Sequence, residues 1–147
     1  MIGYLLDTNI ISETRKSNRS ENVMNWLTEQ QVLRLYTSEV TMAELSFGAE
    51  LTDDLAKRLL LKEWIAETIR PWMQGRMLRV TEDVLLRWRI LSAHMKNTHR
   101  YSPEIDLLIA AVAAENDLIV VTRDQSPFVL SGIPTLNPWT GERFNGA

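Results

Sequence analysis

Ser102-Pro103-Glu104-Ile105-Asp106-Leu107-Leu108-Ile109-Ala110-Ala111-Val112-Ala113-Ala114-Glu115-Asn116 is followed, after Asp117, by Leu118-Ile119-Val120-Val121-Thr122-Arg123-Asp124. Ser102 with Pro103 reads as an N-cap followed by proline at the first helical position, where the missing N–H is not needed. The helix this opens, Glu104 to about Asn116, is alanine-rich and apolar almost all round, which predicts deep burial. Leu118–Val121 is apolar without alternation, the pattern of a strand covered on both faces in a parallel sheet. A buried helix feeding a buried strand is half of an α/β repeat.

The rest of the chain repeats the theme. Gly3-Tyr4-Leu5-Leu6 is a second short apolar run, ending at Asp7, with helix-start chemistry in Asp7-Thr8-Asn9. Glu21–Gln30 predicts a short amphipathic helix, and Leu33–Ser38 an alternating strand. Thr41-Met42-Ala43-Glu44 reads as a capping box, with Glu44 in the first helical turn. Thr52-Asp53-Asp54 opens a longer helix through Leu55, Leu59, Trp64 and Ile69, ending before Pro71. Met77–Val80 is a weak strand. Between Thr81 and about Thr98, Val84, Trp88, Leu91 and Met95 fall on one helical face. Gly132–Leu136 predicts a short edge strand, Asn137-Pro138-Trp139 closes the domain, and the last few residues are expected to fray. Strands alternating with helices argue for an α/β domain: a small central parallel β-sheet with right-handed crossovers, flanked by helices. Strand order does not follow from this reading. Length and the absence of repeats or linkers predict one domain over residues 1–147.

The chain has no cysteine and two histidines, His94 and His99, among its 147 residues. Thiolate chemistry is excluded, and any metal must be held by oxygen, which favours Mg²⁺ or Mn²⁺. No basic leader or membrane-length apolar run is present, so a cytoplasmic protein is expected. The formal net charge is −3, unlike a general nucleic-acid binder. Yet Val84–Pro103 contains no acid while carrying Arg87, Arg89, Lys96 and Arg100, and Arg15, Lys16 and Arg19 make a second basic stretch. A solvated helix face is the ordinary reading of either.

Four acids fall at one edge of this scheme. Asp7 ends the first strand, Glu44 begins the helix after the second, and Asp124 follows Leu118–Val121. Asp106 joins them if the start of its helix packs across the first strand. In open parallel sheets, ligands bind beyond the carboxyl ends of the strands. Each acid has an ordinary use: an Asx cap, a capping box, a helix-dipole partner, a turn. Together they repel unless something positive neutralises them, and a divalent metal does so while leaving positions for water and phosphate. No Gly-rich phosphate loop or nucleophile elbow competes.

Leu5-Leu6-Asp7-Thr8-Asn9-Ile10-Ile11-Ser12-Glu13 resembles the opening of the VapC family of PIN-domain toxins, in its FitB-like branch. Thr41–Leu45, Gly75–Leu78, Ile105–Ala111, Val121–Asp124 and Asn137-Pro138-Trp139 match in order. The resemblance implies a PIN-like three-layer fold and Mg²⁺- or Mn²⁺-dependent endonucleolytic cleavage of RNA. It places Asp7, Glu44, Asp106 and Asp124 among the catalytic acids, with Asp7, Asp106 and Asp124 holding metal and Asn9, Thr122 and Arg123 in support. It further implies a homodimer, and a VapB-like antitoxin whose C-terminal tail blocks the site and whose complex sits on operator DNA. One departure stands out: many relatives read Thr-Arg-Asn and carry an aspartate where this chain has Pro127. Two other readings remain open at this point, a degenerate PIN domain serving as a binding module and a phosphatase using Asp7 as nucleophile. The common aspartate-phosphatase pattern wants a second acid where Asn9 stands.

Overall fold

β1 (Gly3–Leu6) and β4 (Leu118–Val121) form where the two uninterrupted apolar runs stand, parallel and adjacent, with Leu6 opposite Val121. This is a computed structural model, and it describes residues 2–146. β2 (Leu35–Ser38) pairs with the other side of β1, and β3 (Met77–Leu78) with β2. β5 (Thr135–Leu136) pairs parallel with β4, and β6 (Arg143–Phe144) pairs antiparallel with β5. The resulting order is β3-β2-β1-β4-β5-β6. The chain builds outward from β1 on one side, then returns to build outward on the other. The β1/β4 junction is therefore the point where strand order reverses, and such sheets leave a crevice there beyond the strand ends. Close approach at this junction relies on Gly3, where a Cβ would meet the Leu118 side chain at 2.7 Å and the Tyr36 ring at 3.1 Å.

Side chains alternate across the sheet. Tyr4, Leu6 and Val121 pack into one core with α1 (Thr8–Glu13), α2 (Glu21–Glu29), α3 (Glu39–Glu50) and α4 (Leu55–Trp64). Leu5, Leu118 and Val120 pack into the other, against α6 (Glu82–Asn97), α7 (Glu104–Glu115) and α8 (Ser126–Leu130). Three layers result, as expected. α7 buries Leu107 and Ile109–Ala113, and its two large side chains contribute about 1.5–3 kcal/mol each.

Several local expectations are corrected. Val32–Arg34 form a 3₁₀ turn, so β2 begins at Leu35. The cap of α3 is Ser38, whose Oγ accepts from the Thr41 N–H at 3.2 Å. The helix thus starts at Glu39, directly off the strand, and Glu44 lies in its second turn rather than closing a capping box. α4 does not stop before Pro71 but runs on through a π-turn at Ile65–Ile69 into α5 (Arg70–Trp72). The widened turn, with the Arg70 N–H bonded to the Ile65 carbonyl, accommodates the proline. Pro103, extended at ψ 138°, itself occupies the N-cap of α7, so Ser102 lies one residue too far out to cap. β5 is interior, because β6 covers it where fraying was expected. The Gly75-Arg76 pair is architectural: Gly75 turns at φ +79°, and Arg76 donates to the carbonyls of Val32, Leu35 and Trp72.

Candidate active site

Asp7 follows Leu6 directly, so the register of β1 against β4 puts it beside Thr122. Its backbone N–H bonds the Val121 carbonyl at 3.0 Å. Its side chain caps α1, with Oδ1 accepting from the Thr8 N–H and Oδ2 from the Thr122 hydroxyl, both at 2.8 Å. The residue is 7% exposed. Burial pushes its carboxyl up; the two hydrogen bonds pull it back, and the charges of Asp124 and Glu44 push it up further.

Asp106 sits in the first turn of α7, near enough to Asp7 for the two carboxyls to repel. Its carboxyl is pushed up to about 6, by burial first and then by Asp7, Asp124 and Glu44. The four acids therefore share one electrostatic neighbourhood. Asp124 is exposed and accepts from the Ser126 N–H at 3.3 Å, opening α8. Glu44 is half-buried and lines a cleft of about 370 Å³ with Thr8, Arg15, Lys16 and Trp64. None of the four has a lysine or arginine partner among the described residues. Nor do three acidic or histidine side chains there converge into a ready-made metal cage.

The three supporting residues form a single network. The Thr122 hydroxyl donates to Asp7 and accepts from Asn9 Nδ2 and the Asp124 N–H, both at 3.2 Å. Asn9 Oδ1 accepts from the Arg123 N–H at 3.2 Å, and the Arg123 guanidinium lies 5.1 Å from the Trp139 ring centre. Two further residues stand in the stretches that match the family, with no role read from them. Asn137, signalled by Asn-Pro, accepts from the Trp139 N–H and donates to the Arg123 carbonyl, holding the 122–124 loop against the sheet end. Glu13 is buried and charged, its carboxyl held low first by the Ser20 N–H and also by Lys16. It ties the 14–20 loop to α1, a bond to Ser20 that its local sequence does not announce.

The PIN domain family model matches residues 4–129. VapC ribonuclease Y4jK of Sinorhizobium fredii is 33% identical over 135 residues, 92% of this chain and 96% of that protein. Toxin FitB of Neisseria gonorrhoeae is likewise 33% identical over 135 residues, covering 92% of this chain and 97% of FitB. The crystal structure of FitAcB from Neisseria gonorrhoeae superposes with a TM-score of 0.86 at 33% identity, over 92% of this chain and 98% of that one. The sheet reversing at β1/β4 thus belongs to a shared fold, and the chain belongs to the PIN-domain family, alongside the VapC and FitB toxins.

Proposed function

We propose that the chain is a Mg²⁺- or Mn²⁺-dependent endoribonuclease, the toxin of a VapBC-like toxin–antitoxin pair. The observation that carries this is Asp7: a buried carboxylate, oriented by two donors, in a group of four acids none of which has a salt-bridge partner among the described residues. That donor set fits a hard divalent cation, and Mg²⁺ needs only one or two protein carboxylates because it keeps several waters. Asp7 and Asp106 would hold the ion, with Asp124 beside them and Glu44 facing the approach cleft. When bound, such an ion activates water and offsets charge developing on the scissile phosphate.

The residues divide the remaining work. Thr8 and Thr122 fix the direction of the Asp7 oxygens. Asp106, whose carboxyl is raised to about 6 in the metal-free protein, must release its proton to hold the ion. Asn9 and Arg123 hold the loop that carries Asp124. The toxin role is supported by the likeness to Toxin FitB over nearly the whole chain. It brings with it a VapB-like antitoxin and a homodimer as the proposed assembly.

Purified protein should cut single-stranded RNA with Mn²⁺ or Mg²⁺ and stop when EDTA is added. Undiminished cutting in excess EDTA by a preparation free of other nucleases overturns the mechanism. Asp124→Asn should retain more activity than Asp7→Asn, with a loss of about tenfold. The amide keeps an oxygen for Ser126 N–H, and the position is exposed, so the fold changes little while Asp7 and Asp106 lose one repelling charge. Inactivity equal to that of Asp7→Asn at saturating Mn²⁺ assigns Asp124 a direct ligand role instead.

A further inference from the structure

We infer that the cleft between α6 and the start of α7 is a binding site for the backbone of single-stranded RNA, feeding the acidic edge. The inference rests on the ribonuclease reading for its substrate and on separate geometry for its place. The cleft has a volume of about 590 Å³ and is lined by Arg89, Lys96, Arg100, Tyr101, Ser102 and Glu104, among others. The basic stretch between Val84 and Pro103 therefore does not merely face solvent: three of its cations turn toward one concavity. None of the three has a carboxylate partner among the described residues, while Arg87, on the same helix, is paired with Glu115. Glu104, the acid of the cleft, is engaged by the Ser92 hydroxyl at 3.1 Å.

Two further features fit a polynucleotide. Tyr101 is 83% exposed, an aromatic face held out beside the cations, as stacking sites for unpaired bases are built. Ser102, 6% exposed, carries a buried hydroxyl with no partner, where buried hydroxyls are almost always satisfied. A small opening of the 99–103 loop would present it to a phosphate oxygen. Position supplies the rest. Asp106 lies two residues beyond Glu104, about 3 Å of helical rise, on the other side of the same first turn. A strand seated in the cleft thus passes around the start of α7 to reach the acids. An overall acidic protein acquires affinity for a polyanion this way, by setting three cations without carboxylate partners in one concavity beside the repelling site.

The test measures binding apart from cleavage. A fluorescein-labelled single-stranded oligoribonucleotide is titrated in EDTA with wild type, Asp7→Asn, Tyr101→Ala and the triple variant Arg89→Gln/Lys96→Gln/Arg100→Gln. Asp7→Asn, which removes one repelling charge, should bind at least as tightly as wild type. The triple variant should bind at least about tenfold more weakly in moderate salt, and its log K against log salt should flatten by about 2, from three lost phosphate contacts at about 0.7 each. Tyr101→Ala should weaken binding with the salt slope unchanged. Circular dichroism and light scattering establish that fold and oligomeric state are retained. Wild-type affinity and slope in the triple variant overturn the inference, even if the enzyme cuts RNA with metal. So does an altered oligomeric state, which makes the cleft a contact between copies. Cleft-dependent binding without metal-dependent cleavage by wild type supports the cleft and overturns the nuclease reading alone.

Discussion

Asp7→Asn is expected to abolish cleavage, by three orders of magnitude or more, while making the metal-free protein more stable. The first effect follows from charge: an amide has the shape of the carboxylate but cannot offset a divalent cation, and a catalytic metal supplies several kcal/mol at the transition state. Asp106→Asn should lose a similar amount. The second effect follows from the raised carboxyls. Asp7 is held above its ordinary 3.8, and Asp106 is raised from 3.8 to about 6. Between those values the folded state binds more protons than the unfolded chain, so stability falls as pH rises through the window. Above about pH 6 the destabilisation from Asp106 is fully expressed. Metal-free wild type should therefore melt higher at pH 5 than at pH 7.5. Asp7→Asn removes one of the repelling charges, and should gain about 1 kcal/mol at pH 7.5, roughly 3 °C for a domain of this size. Millimolar Mn²⁺ should reverse the ranking by stabilising wild type through binding to the folded form only. Calorimetry in EDTA and in Mn²⁺ checks both halves. An Asp7→Asn protein that melts lower than wild type in EDTA would show the carboxylate to be a structural cap first.

The pieces of the fold legible in sequence were those whose pattern is set by burial alone. β1, β4 and α7 are apolar enough that no other environment suits them, and they stand where expected. The misread boundaries lie where two residues compete for one role. Ser38 and Thr41 are both good caps, and the choice falls to Ser38 because the chain turns straight out of β2. Ser102-Pro103 looks like a cap and first turn, but Pro103 takes the extended conformation and becomes the cap position itself. Pro71 ordinarily ends a helix, and a π-turn that no local signal announces carries it.

The site was legible by residue and illegible by arrangement. Three acids could be set at the strand ends from periodicity, whereas Asp106 needed the strand order, which comes from crossovers and not from any one segment. What binds the set is Thr122, whose three partners are separated from it by 115, 113 and 2 positions in sequence. No periodicity reports a bond of that kind. It depends on Leu6 standing opposite Val121, a register fixed only when both cores pack.

That bond gives the other large effect. Thr122→Val replaces a fully buried hydroxyl with a methyl of nearly the same size, so packing is retained and three hydrogen bonds are lost. Asp7 Oδ2 then faces a methyl group in a site where burial already disfavours its charge. Removing the donor to the ionised form drives the carboxyl higher still, because that hydrogen bond stabilised the charge. Less of the enzyme carries the charged Asp7 needed to hold a cation, and the carboxylate is no longer fixed in direction. Cleavage should fall about 10- to 100-fold at neutral pH, the range for residues that orient a ligand rather than serve as one. The rise of activity with pH should move to higher pH than in wild type, a shift that a purely structural defect does not produce. Part of the loss should return at high Mn²⁺. Stability should drop by about 1–3 kcal/mol, since the Asn9 amide and the Asp124 N–H lose their acceptor. Thr122→Ser keeps the hydroxyl and should stay near wild type in both rate and pH profile. If Thr122→Val cuts RNA at the wild-type rate with an unshifted profile, the hydroxyl holds the loop and not the carboxylate, and Asp7 is oriented by the Thr8 N–H alone.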